Sequence, residues 1–268
     1  MTPPSEILEA EIPPARSAAA PFPETEHPEP ESPDWDRLRN RPLSLEEKRR
    51  LREFYGAHYP VKSNYTNLHP FNRVISLFRV WITHRVFGEL GKVLDAGCSA
   101  GGEVLAFRQA GVDAWGFDLC PELKDVCFDP VRPYLRIGSV DHIPFSREDG
   151  FTTLISYDVL EHVPVDELEG FPRELERLGV RNISCVIAKD TISEGHITIQ
   201  ETSWWLELFG RAGFELVPGI PELFATLPVP DRWEESERAV RFAPYPMTGV
   251  PRNGWNTVPG HLFLRKRS

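Results

Sequence analysis

The sequence predicts an α/β fold, built as a doubly wound, mostly parallel seven-stranded sheet with helices on both faces. Three observations carry the prediction. Val93-Leu-Asp-Ala-Gly-Cys-Ser-Ala-Gly-Gly102 is an apolar run bearing one acid that breaks into a small, glycine-rich turn. A buried parallel strand hands over to a helix in this way at a nucleotide-sized ligand. Beyond it, strand and helix signals alternate, as βαβ units require. Asp118 then ends the second strand about twenty residues past the glycine turn, the separation that one intervening helix demands.

In chain order, residues 1–34 are rich in proline, glutamate and alanine, with few side chains able to build a core, and read as a disordered tail. Residues 35–90 read as N-terminal helices and a lid. Ser44-Leu-Glu-Glu47 matches a capping box, in which hydroxyl and carboxylate satisfy free amides at a helix start, and the helix runs to about Phe54. The aromatic, turn-rich Tyr55-Gly-Ala-His-Tyr-Pro60 and Ser63-Asn-Tyr65 form the lid candidate, with Asn64, Tyr65 and His69 as contact candidates. From Pro70, the positions Val74, Leu77, Phe78, Trp81, Ile82 and Val86 recur at helical period.

Residues 91–268 read as the ligand-binding catalytic domain. After the opening turn, Val104, Leu105 and Phe107 form the inward face of a helix that Gly111 stops. Strands follow at Asp113–Asp118, Tyr134–Gly138, Phe151–Tyr157 and Ile183–Ala188, with closing strands at Phe214–Val217 and His261–Arg265. Helices are expected over about Val165–Leu178 and Ser203–Ala212. The stretch from about 218 to 260 fits neither period and reads as an insertion that could wall a substrate site.

The composition narrows the function classes. A formal net charge of -10 and a pI near 5.4 give no footprint for gripping a polyanion, which disfavours nucleic-acid partners. Cys98, Cys120, Cys127 and Cys185 lack metal-finger spacing and read as reduced packing residues. The sequence has no stretch suited to spanning a bilayer and no signal-peptide pattern, so a soluble, cytoplasmic protein is expected.

Glycines let a backbone approach a ligand, and a carboxylate at the end of the second strand can accept both hydroxyls of a ribose. The dinucleotide fingerprint Gly-x-Gly-x-x-Gly is not met, because position 99 is Ser and Gly97, Gly101 and Gly102 are spaced differently; this sets aside a nicotinamide cofactor. Val-Leu-Asp95-Ala-Gly97-Cys-Ser99-Ala-Gly101 resembles the first motif of class I S-adenosylmethionine-dependent methyltransferases, with Ser99 in place of the usual middle glycine. Ser-Tyr-Asp158-Val-Leu-Glu161-His162-Val resembles that family's fourth-strand motif, and the element order from about Pro70 to Arg265 is similar to its fold. The resemblance implies that S-adenosylmethionine is the cofactor. It also implies that Asp95 and the Gly97, Ser99 and Gly101 turn cradle its methionine and ribose parts, and that Asp118 binds the ribose. Where relatives carry a Gly-Asp pair against the adenine, this chain has Ser139, with Asp141 two residues on. Asp158 is a further candidate cofactor contact.

Methyl transfer from a sulfonium is an in-line displacement, so the protein must position the acceptor and, for a hydroxyl, help to remove its proton. Asp158, Glu161 and His162 have i, i+3, i+4 spacing and are expected to converge on one helical face, while His196 follows the fifth strand at the same edge of the sheet. Two carboxylates and two imidazoles suit Mg2+ or another divalent cation, which makes all four candidate metal ligands. Without metal, His162 or His196 would act as general base. The arrangement also resembles the metal-binding acid-x-x-Glu-His and later histidine of small-RNA 2′-O-methyltransferases, and the Glu-His pair of metal-assisted quinone O-methyltransferases. Trp204 and Trp205 follow His196, and Lys189 ends the fifth strand as a candidate anion contact. The expectation is a methyltransferase acting on a small-molecule hydroxyl of a sugar, glycan precursor or secondary metabolite. The alternatives are an RNA 2′-O-methyltransferase and a non-catalytic cofactor-binding partner protein.

Overall fold

The computed structural model describes residues 33–55, 70–120, 123–189, 191, 194–226 and 261–267. Residues 1–32 of the tail expected over 1–34, the lid candidates Asn64, Tyr65 and His69, the side chains of Val74, Leu77 and Phe78, and residues 227–260 of the insertion lie outside the described residues. The helices are α1 (Trp35–Leu38), α2 (Leu45–Glu53), α3 (Pro70–Phe87), α4 (Gly102–Gln109), α5 (Leu123–Val126), α6 (Val165–Leu168), α7 (Phe171–Leu178), α8 (Thr202–Arg211) and α9 (Ile220–Thr226). The strands are β1 (Lys92–Ala96), β2 (Ala114–Asp118), β3 (Leu135–Ile137), β4 (Phe151–Tyr157), β5 (Asn182–Val186), β6 (Phe214–Leu216) and β7 (His261–Lys266). Among the described residues, no helix is long and apolar enough to cross a membrane.

The strands form one sheet in the order β3-β2-β1-β4-β5-β7-β6. The first five run parallel, and β7 pairs antiparallel with both β5 and β6. This is the predicted doubly wound sheet. Its central strands are apolar along both faces because helices cover both. Leu94, Ala96 and Leu154 pack with Phe171, Leu175 and Leu178 of α7 and with Trp205, Leu208 and Phe209 of α8. On the opposite face Val93, Ile155 and Tyr157 meet Val80 of α3 and Val104 and Phe107 of α4. The hydroxyls inside this core are satisfied: Thr153 donates to the Leu90 carbonyl at 2.7 Å, and Ser156 to that of Ala96 at 3.0 Å.

The order β2-β1-β4 reverses the winding beside β1, so the carboxyl ends of β1, β2, β4 and β5 open on a crevice. The N-terminal helices dock at that edge. Ser44 and Glu47 form the predicted capping box of α2, and Leu38, Leu43 and Leu51 pack on Ile197, which follows β5. Arg39 Nε donates to the His196 carbonyl at 3.2 Å, Asn40 N to that of Ile197 at 2.8 Å, and Ile199 N to Asn40 Oδ1 at 2.8 Å.

Two elements differ from expectation. The helix expected over Val165–Leu178 is two, α6 and α7, joined through Glu169 and Gly170. Gly170 loosens the backbone, and Pro172 lacks the amide that a continuous helix would bond at this point but suits the first turn of a new one. The start of the aperiodic stretch holds α9, too short for a helical period to show. All four cysteines are free and buried, as expected of packing residues.

Phe209 of α8 is fully buried, with its ring 6.1 Å from that of Phe171 of α7. Truncation there leaves a cavity that rigid neighbours cannot fill. Phe209→Ala is expected to destabilise the fold by about 3–5 kcal/mol, read as a lower urea midpoint with an unchanged slope.

Candidate active site

The turn after β1 owes its shape to three alternate residues with left-handed backbones: Gly97 at φ 80°, Ser99 at 46° and Gly101 at 85°. A Cβ on Gly97 would lie 2.4 Å from a methyl of Val159, and one on Gly101 2.7 Å from a methyl of Val131. Ser99 takes the conformation its glycine counterparts would, at a cost of roughly 1–2 kcal/mol for an L-residue. Its amide donates to Asp118 Oδ2 at 2.8 Å, while Asp118 Oδ1 accepts from Cys120 N at 3.0 Å. The amides of Gly97 and Cys98 both donate to the Phe117 carbonyl, and Gly101 N to that of Cys98. Four amides of the turn are thus engaged within the chain, so the loop does not offer the open row of N–H groups that a pyrophosphate requires.

Asp95 lies in the buried run of β1 at 3% exposure, and its Oδ2 has no hydrogen-bond partner among the described residues. Burial pushes its carboxyl well above the usual range. The Glu103 and Asp118 carboxylates add to the effect, and the Arg79 guanidinium opposes it. An orphaned, buried acceptor of this kind fits a cationic donor such as the ammonium of a methionine moiety. Asp118 is also shifted upward by burial, against its backbone hydrogen bonds. Each of its oxygens keeps a second lone pair for a ribose hydroxyl. The residues present therefore fit S-adenosylmethionine. After β3, Gly138 N donates to the Asp118 carbonyl at 2.9 Å, placing the next loop beside that acid. There the Ser139 hydroxyl donates to Asp141, so these two candidates form one unit.

At the end of β4 the expected convergence is only partial. Asp158 has a left-handed backbone at φ 57°, and only Leu160–His162 forms a short 3-10 turn. Its Oδ2 turns away to accept from Arg79 Nη2 at 2.9 Å. The i, i+3, i+4 rule fails because no helix spans the motif. Glu161, His162 and His196 do meet: one donor atom from each lies within 4.8 Å of the others, and Asp158 does not join them. The Glu161 side chain is fully buried, with Oε1 accepting from Ala188 N at 2.9 Å, and its carbonyl accepts from Ile197 N and Thr198 N. The His162 and His196 rings stand edge to face with centroids 4.8 Å apart.

Lys189 Nζ donates to Thr202 Oγ1 at 2.6 Å, which ties it to the start of α8. Trp205 is core at 1% exposure, and Trp204 packs edge-on against it, 4.9 Å between centroids. Two residues of the site escaped the sequence reading. Arg79 of α3 pairs with Glu103 as well as Asp158, its guanidinium 4.2 Å above the Tyr157 ring. The signal was available in Ser76, Arg79 and Thr83, a polar line at helical spacing beside buried Val80. Gly195, which precedes His196, is the second.

The raised Asp95 pKa has a stability consequence. Because the folded value lies above the unfolded one, this group favours the fold only while protonated. The contribution is lost as pH rises from the ordinary carboxylate range through the folded pKa. Asp95→Asn keeps the shape and removes the charge. The ligand-free variant is expected to melt above the wild type at about pH 8 and to show a flatter pH dependence in thermal melts between about pH 5 and 8.

Residues 94–182 match a family model described as a methyltransferase domain. No curated protein sequence matches the chain significantly. Among solved structures, the magnesium protoporphyrin IX methyltransferase of Synechocystis, determined with bound S-adenosylmethionine, is 18% identical; the match covers 66% of this chain and 90% of that one at a TM-score of 0.50. A TehB-like S-adenosylmethionine-dependent methyltransferase from Corynebacterium glutamicum is 23% identical, over 53% of this chain and 73% of that one, at a TM-score of 0.40. The YcgJ protein of Bacillus subtilis is 17% identical, over 72% and 99%, at 0.44. Residues 94–182 thus carry a methyltransferase domain, on a doubly wound sheet whose turn after β1 fits S-adenosylmethionine.

Proposed function

We propose that the chain methylates a hydroxyl of a small molecule, of the sugar, glycan-precursor or secondary-metabolite class, with divalent-metal assistance. The observation that carries the reading is the meeting of Glu161, His162 and His196 at the carboxyl edge of β4 and β5. An alcohol is a poor nucleophile while it holds its proton, and these residues are suited to taking that proton. When bound, S-adenosylmethionine would supply an electrophilic methyl group with a neutral thioether as leaving group. Where no ion occupies the site, the acceptor proton would leave toward the imidazole pair as the new bond forms, and the buried Glu161 carboxylate would balance the positive charge formed there. Asp95, Asp118 and the Gly97–Gly101 turn hold the cofactor, with Ser139 and Asp141 at the adenine end and Asp158 keeping Arg79 at the rim.

One carboxylate and two imidazoles also form a donor set for a divalent cation. Its nitrogen content favours a borderline transition metal over Mg2+, which prefers oxygen ligands. Held by Glu161, His162 and His196, such an ion would supply Lewis acidity at the acceptor hydroxyl.

A small acceptor is favoured over RNA by what happens to the basic residues of α2 and of the segment before it. Arg41 pairs with Glu47, Lys48 with Asp166, Arg49 with Glu46 and Glu53, and Arg52 with Glu167. These basic residues face carboxylates at close range, which weakens the pull of this segment on a phosphate backbone.

Transfer of labelled methyl groups to a metabolite extract, and not to small RNA, is the expected result. Label in RNA alone would overturn the small-molecule reading. Chelator is expected to abolish turnover, and Glu161→Ala or His162→Ala to remove the bound ion by elemental analysis. Full turnover in chelator would return proton removal to the imidazoles alone.

A further inference from the structure

Tyr55 directly follows Phe54, the C-cap of α2, and its ring stands edge-on to those of Phe54 and His162, at centroid distances of 5.3 and 5.4 Å. Its hydroxyl lies 2.7 Å from His162 Nδ1 and 3.0 Å from the carbonyl oxygen of Gly195. A phenol carries one proton, and a carbonyl can only accept. Gly195 is buried, so denying its carbonyl a donor costs about 1–3 kcal/mol. Both contacts are hydrogen bonds only if the phenol donates to Gly195 and accepts from His162 Nδ1–H.

We propose that Tyr55 is a positioning residue of the methyl-transfer centre: its hydroxyl fixes neutral His162 as the Nδ1–H tautomer and leaves the lone pair on Nε2. The claim rests on the reading of His162 as proton acceptor or metal ligand, since both roles need that lone pair. Gly195 makes the contact possible. At φ 83°, a Cβ there would stand 2.0 Å from the Tyr55 hydroxyl and 3.0 Å from His162 Nδ1. The segment bearing Tyr55 is also bonded to the segment bearing His196, through Arg39 to the His196 carbonyl and Asn40 to Ile197. One N-terminal strap thus buttresses the stretch that carries His196 and sets the tautomer of His162.

The test is nitrogen-15 NMR of the histidine side chains, with His162→Gln assigning the resonance, on the full-length wild type and on Tyr55→Phe, which keeps the ring and removes the hydroxyl. The wild type is expected to show His162 as Nδ1–H, and the variant a mixture with the Nε2–H form. The variant kcat should fall about tenfold or more with an unchanged KM for S-adenosylmethionine. An Nε2–H tautomer in the wild type overturns the proposal without any variant, and so does a tautomer that Tyr55→Phe leaves unmoved. A changed tautomer with unchanged kcat overturns the positioning role by showing that His162 takes no part in transfer. A loss of kcat with the tautomer intact overturns the proposal and leaves the reading of His162 standing.

Discussion

The carboxylate of Asp118 holds the site together. One oxygen takes the amide of Ser99 and the other the amide of Cys120, so the acid at the end of β2 clamps the turn after β1 and its own following loop at once. The left-handed backbone of Ser99 is tolerable because this bond over-determines it. Beside the clamp, Asp95 presents a buried oxygen with no partner among the described residues. The chain accepts the burial of two carboxylates, both shifted upward, to have acceptors ready where a ligand brings donors. Stability is given up locally for preorganised binding.

The reacting centre follows a different logic. Backbone amides hold Glu161 at two points, its carboxylate by Ala188 and its carbonyl by Ile197 and Thr198. The loop after β5 is thus bonded to the turn after β4, with the His196 ring beside that of His162. Arg79 pairs with both Glu103 and Asp158, so one guanidinium ties α4 to the end of β4 beside the imidazole cluster.

Much of this was legible in the sequence, and its limits are physical. The seven strands, the capping box at Ser44 and the turn at Gly97 showed because period, cap chemistry and glycine placement are local signals. The break at Gly170 is hidden because it does not disturb the hydrophobic pattern on either side, and α9 because it is too short for a helical period to show. The grouping of Glu161, His162 and His196 was foreseen from topology, which brings the ends of β4 and β5 to one edge. The departure of Asp158 was not, because it depends on one left-handed residue and on an arginine seventy-nine residues earlier in the chain. The contact from Tyr55 to His162 spans an even larger separation and has no sequence signature beyond the place of Tyr55 in an aromatic, turn-rich segment.

The central claim is that the clamp at Asp118, with Asp95 beside it, is an S-adenosylmethionine site. Isothermal titration of the cofactor into the wild type and into Asp118→Ala tests it most directly. Saturable one-to-one binding by the wild type, lost in a variant that remains folded, is the predicted result. No heat from the folded wild type, or equal affinity in both proteins, would contradict it.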